Sequence, residues 1–197
     1  MNQRLLKILP YGYGLEVFVI IMAYLESYGD TTAFFQAAAR LSGRVSLLFF
    51  LIFAVYATLY PSVKEGIVLT VKTSLVKDFA IIHVIHWMFL ATAVTLSHFE
   101  LVPLRILGGA LAYLMVIVMP LIYEKRILTS RPLPLMQNIY IIYVWLIFFM
   151  TYLSRVTGKT PTATGSMLAY TALMIATVGF MIWRVTLTIQ QSRLTKA

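Results

Sequence analysis

The sequence predicts an all-α integral membrane protein, a six-transmembrane-helix bundle with both termini in the cytoplasm. Three observations carry this expectation. The 197 residues are 60% hydrophobic and only 12% charged, whereas soluble domains run at about 45–50% apolar and about 25% charged. Mean hydropathy is +0.86. Six apolar runs recur along the chain, separated by polar or Pro/Gly-bearing connections, and each spanning helix takes about 20 mostly apolar residues. A water-soluble enzyme is therefore excluded. Six spans use about 120 residues, so residues 1–197 read as a single transmembrane domain. A flavin or nicotinamide domain does not fit in the remainder, and no G-x-G-x-x-G occurs.

The first run, 13–28, centres on VFVIIMAYL and is the weakest, because Glu16 and Glu26 bracket its apolar stretch. The preceding MNQRLLKILPYGYG begins like a signal peptide. Pro10, Gly12, Gly14 and Glu16 interrupt it and no small-residue cleavage site follows, so it is expected to be retained. The second run, 45–60, is closed by Pro61, which cannot continue a helical ladder. The amphipathic stretch that follows, residues 63–78 with IVLTVKTSLVK, is expected to lie along the inner membrane surface. The third run, 79–99, holds all three histidines, His83, His86 and His98. The fourth, 104–123, carries Gly108, Gly109 and Pro120; the fifth, 135–153, is rich in aromatics; the sixth, 167–187, contains Arg184. The connections GDTT, YPSVKEG, TSRPLP and TGKTPTATG are turn-forming. No internal repeat is present.

Net charge is +9. The basic residues fall between apolar runs, which points to membrane orientation rather than to a nucleic-acid partner. Eleven Lys and Arg flank one side of the spans, including Arg4, Lys7, Lys64, Lys72, Lys77 and Arg193. Five flank the other: Arg40, Arg44, Arg105, Arg155 and Lys159. The richer side is assigned to the cytoplasm. Absence of cysteine excludes disulfides, thiolate metal sites, iron–sulfur clusters and covalent c-type haem.

Ionisable groups inside apolar spans are costly, so each is a functional candidate. His83 and His86 lie about 6 and about 10 Å into the third helix, on one face. Glu16 falls at similar depth in the first, where its carboxylate would accept from the second ring nitrogen of a ligating histidine. Gln137 and Arg184 lie at the same end of the fifth and sixth. His98, Glu100 and Arg105 gather at the opposite edge. Plainer roles compete: a histidine bonded to a neighbouring carbonyl, Glu16 marking a late helix start, Arg184 snorkelling to the inner surface. HVIH without a carboxylate lacks a zinc-site pattern. Three histidines on one helix do not supply imidazoles to both faces of one haem.

The segments ARLSGRVSLLFFLIF, DFAIIHVIHW and LPLMQNIYIIYVWLIFFMTYLSR resemble the ferric reductase-like transmembrane domain superfamily over about residues 38–156. The resemblance implies a membrane cytochrome b in a bacterial cytoplasmic membrane, binding haem b and passing electrons across the bilayer from quinol or a separate reductase. It maps a haem ligand onto His83 or His86. The opposite ligand position, near the start of the fifth helix, falls on Gln137, with the thioether of Met136 beside it. An amide is a poor iron ligand, so the resemblance leaves haem five-coordinate, Met-ligated, completed by a partner chain, or absent. The rival expectation is a haem-less relative serving as a structural membrane subunit or small-molecule binder. A proton-coupled transporter using Glu16 and the histidines is a third class, which the missing repeat disfavours.

Overall fold

A computed structural model describes residues 8–61, 66–98, 103–125, 132–159 and 165–194. Among these residues there is no strand, and six long helices follow one another: α1 (Leu9–Ser27), α2 (Thr31–Leu59), α3 (Ile67–Leu96), α4 (Pro103–Lys125), α5 (Pro132–Val156) and α6 (Met167–Leu194). All six are long and apolar enough to cross a membrane. The protein is a multi-pass membrane protein by this criterion. Large apolar side chains such as Phe18, Ile21, Trp87, Leu114, Ile175 and Ile182 face outward, a surface that lipid rather than water suits.

Two helices begin well before the apolar runs that announce them. α2 starts at Thr31, and residues 31–44 are helix rather than connection. Asp30 caps it, accepting the N–H of Ala33 at 2.8 Å, and the alanines at 37–39 are strong helix formers. The charge of Arg40 is met by an ion pair with Glu26 of α1. Similarly, residues 67–78 do not form a separate surface helix. They are the first turns of α3, which runs unbroken for 30 residues. No Gly or Pro lies within it, and the apolar face of this stretch (Leu69, Val71, Leu75, Val76) is buried against protein instead of lipid headgroups. Helices of 29 and 30 residues reach about 45 Å, beyond the roughly 30 Å hydrocarbon core. The other four agree with their runs to within a few residues, except that α6 continues past residue 187 to Leu194.

The chain divides into two compact units, residues 1–135 and 136–197. In the first, α2 packs along both α1 and α3, and α3 packs on α4. The α1–α2 connection is three residues long: Tyr28 (φ 49°) and Gly29 (φ 88°) reverse the chain in left-handed backbone, and Asp30 starts the next helix. Gly12 sets the spacing of the three helices. A Cβ there would stand 2.6 Å from Cζ of Phe49 and 2.8 Å from Cδ1 of Ile82. Below it the core is aromatic: Phe50 lies 5.6 Å from Phe79, and Phe53 meets Tyr123 edge-on at 6.4 Å. The buried carboxylate of Asp78, on α3, accepts the backbone N–H groups of Ile8 and Leu9, capping α1 from another helix.

In the second unit, the indole Nε1–H of Trp145 donates to the carbonyl of Thr177 at 2.8 Å, tying α5 to α6. Arg155 lies over the ring of Tyr170 at 5.1 Å and donates to its hydroxyl at 3.3 Å. Arg184 does not snorkel. It is 8% exposed, and its Nη2 donates to Oδ1 of Asn138 at 2.6 Å, because an amide carbonyl on α5 stands within its reach.

Candidate functional site

The strongest concentration of polar side chains in the apolar interior lies on α1, α2 and α3. Ser42 and Ser46, four residues apart, share one face of α2, and both are fully buried. Each meets an ionisable residue of a neighbouring helix. The Ser42 hydroxyl donates to Oε1 of Glu16 at 2.8 Å. The Ser46 Oγ lies 2.5 Å from Nδ1 of His83. Between them, Gly43 leaves room for the His86 imidazole, since a Cβ there would stand 3.1 Å from His86 Cε1.

His83 is enclosed by rings. Tyr113 of α4 stacks on it with centroids 4.6 Å apart at 25°. Phe79, one turn earlier on α3, lies at 5.2 Å, and His86, almost one turn later, at 5.6 Å. The side chain is 7% exposed, so water is largely kept from the imidazole, and the Ser46 hydroxyl helps fix its rotation.

Glu16 is 4% exposed and lies within α1, two turns after its start at Leu9. It does not mark a late helix start. Nor is it the partner of His83: the Nδ1 position is taken by Ser46, because α2 intervenes with a hydroxyl at hydrogen-bonding distance. Glu16 Oε2 has no hydrogen-bond partner among the described residues.

The structure thus brings Glu16, His83 and His86 into the first unit. Gln137 (buried) and Met136 (half-buried) belong to the second. His98 is exposed just beyond the end of α3 with φ 50°. Near it Ser97 accepts from Gln36 Nε2 at 2.8 Å. Glu100 and the N-terminal Arg4 and Lys7 lie outside the described residues, as does the side chain of Arg105. The residues that sequence reasoning passed over are Ser42, Gly43, Ser46 and Tyr113. No sequence signal sets the first three apart, since α2 also carries Gln36, Arg40, Arg44 and Thr58.

Among the described residues no group of three or more His, Asp or Glu is placed to hold a metal ion. A haem iron asks less of the protein, since the macrocycle supplies four donors and one or two axial ligands complete it. Metal-ligating histidines generally bond through one ring nitrogen while the other is hydrogen-bonded. His83, with Nδ1 at hydrogen-bonding distance from Ser46, has the one engaged ring nitrogen that such a ligand carries. The donor set does not supply two imidazoles from opposed helices, because all three histidines of the chain fall at 83, 86 and 98. Comparison with protein-family models, curated proteins and solved structures gives no match to the chain.

Proposed function

We propose that this is a ferric reductase-like membrane cytochrome b of a bacterial cytoplasmic membrane, with one haem b held by a third-helix imidazole and both termini cytoplasmic. The observation that supports this reading is the buried His83 imidazole, fixed by Ser46 at 2.5 Å and walled by Phe79 and Tyr113. When bound, haem supplies a one-electron carrier. The chain's own residues orient the ligand (Ser46) and exclude water (Phe79, Tyr113). Electrons come from quinol or a separate reductase. One absorption spectrum of the purified protein, before and after dithionite, tests the reading. A Soret band is expected, with loss of that band in the His83→Ala, His86→Ala double variant. A folded protein from haem-replete cells with no Soret band overturns it.

A second reading, a haem-less membrane subunit, is favoured by a specific residue. By sequence alone, the resemblance maps its opposite ligand position onto Gln137. On this reading the Ser46–His83 pair is a packing element joining α2 to α3. Gln137→His separates the two: higher haem content and a shift to low-spin iron support the first, and a folded variant unchanged in both supports the second.

A further inference from the structure

Glu16 carries an observation that neither reading uses. α1 and α3 run in a fixed register, shown by two pairings. Ile8 and Leu9 meet Asp78, and Gly12 meets Ile82. One turn further along both helices, Glu16 falls level with His86. α2 reports the same layer, since Ser42 bonds Glu16 while Gly43 abuts His86. A carboxyl group therefore lies at the level of an imidazole in the interior of a membrane unit, with one oxygen bonded to a hydroxyl and Oε2 lacking a partner.

The charges around it are accounted for. From α2 it meets Ser42, which carries none. α3 brings His83, His86 and Asp78 to the side it turns toward α1 and α2. Asp78 is engaged with the start of α1, while its Oδ2, like Glu16 Oε2, has no hydrogen-bond partner among the described residues, so Asp78→Asn is the required control. Arg40 pairs with Glu26 and Lys77 with Glu124. Among the described residues Arg44 and Lys72, the other cations of α2 and α3, form no ion pair with Glu16. A carboxylate left there with a single hydroxyl donor and no counter-charge is expensive to bury. An added proton removes that charge, and a buried polar atom without a partner in a native interior calls for an explanation.

We propose that Glu16 is a proton-exchange site, binding and releasing one proton at the level of His86 within the α1–α2–α3 unit. The proposal does not depend on haem. The site takes a proton rather than a metal ion, since no metal-holding group of carboxylates and imidazoles is present among the described residues.

Infrared difference spectroscopy of the purified full chain in lipid tests this directly, through the carbonyl stretch of a protonated carboxylic acid. The wild type should show such a band. It should shift in D2O and fall as pH is raised across the range in which the protein stays folded. The band should be missing from Glu16→Gln and retained in Asp78→Asn, the control for the other buried carboxyl. Ser42→Ala, which keeps the carboxyl and removes its one donor, should move the band to higher frequency, and this arm holds if Glu16→Gln does not fold. A wild-type spectrum without the band overturns the proposal. So does a band indifferent to pH and D2O, or one that neither Glu16→Gln nor Ser42→Ala alters. Haem content, read from the visible spectrum of the same samples, reports on the cytochrome reading separately.

Discussion

At the scale of single residues, the interior of the first unit is specified by what is small. Gly12 admits Phe49 and Ile82, and Gly43 admits His86. Ser42 and Ser46 add hydroxyls where a larger side chain would separate the helices. Gly12→Ala should destabilise the protein by about 1–3 kcal/mol, the usual cost of overpacking. Both neighbours are almost fully buried, so either must shift within packed surroundings. Thermal unfolding in detergent measures this; Gly14→Ala, where the added methyl meets nothing, is the matched control and should cost little. Ser46→Ala makes the opposite error, leaving space and an unanswered ring nitrogen. Hydrogen bonds within membranes contribute modestly on average, but a buried group stripped of its partner loses more than the bond itself. A loss of about 1–2 kcal/mol is expected. Ser46→Thr, which restores the hydroxyl, should recover part of it.

At the scale of elements, apolar runs and helices are different objects, and α2 and α3 show why. Hydropathy locates the part of a helix that matches lipid. It is blind to the part whose polar residues are answered by protein. Arg40 finds Glu26, Gln36 finds Ser97, and Lys72 is fully enclosed, so the helices extend through sequence that reads as connection. Existence and order of all six helices were legible in the sequence for the complementary reason: each has a core of apolar residues with no competing use. The buried serines were not legible, because a serine in a helix gives no sign of whether it bonds its own backbone or a neighbour. Thr58 and Thr73 bond to carbonyls one turn back, whereas Ser42 and Ser46 reach across. The Asp78 cap was invisible for a similar reason, since capping signals are sought next to the helix they serve. Asp78→Ala should cost about 1 kcal/mol, the typical value of a lost cap. Hydrogen exchange at Ile8 and Leu9 should quicken while exchange in the middle of α3 is unchanged, and Asp78→Asn, which keeps an acceptor oxygen, should be milder.

At the scale of the whole molecule, orientation rests on the Lys and Arg residues that flank the apolar runs. Lys72 is counted with the cytoplasmic set by sequence, yet it is sealed inside the first unit and cannot meet a membrane surface. Removing it and Arg184, which is likewise enclosed, leaves nine against five, and the bias survives. A chain with no native cysteine allows a direct measurement. A cysteine replacing Ser192 should resist a membrane-impermeant maleimide applied to intact cells and react once the cells are opened. Labelling from outside would reverse the assignment. The same measurement at a cysteine replacing Lys159, which follows α5 and precedes the opposite end of α6, should give the opposite pattern.

The cap that α3 lends to α1 also bears on how the protein is made. α1 is the shortest of the six helices, and its leading amides are satisfied by a side chain that leaves the ribosome about seventy residues later. During synthesis the first hairpin therefore enters the bilayer with its amino end unfinished, held there by water or headgroups. Only when α3 arrives, bringing Asp78 to Ile8 and Leu9 and Ile82 to Gly12, does the first helix acquire its final boundary. The third helix thus serves as the template on which the first is completed. Chains that stall before it is inserted would present quality-control proteases with a first helix whose leading turn is uncapped.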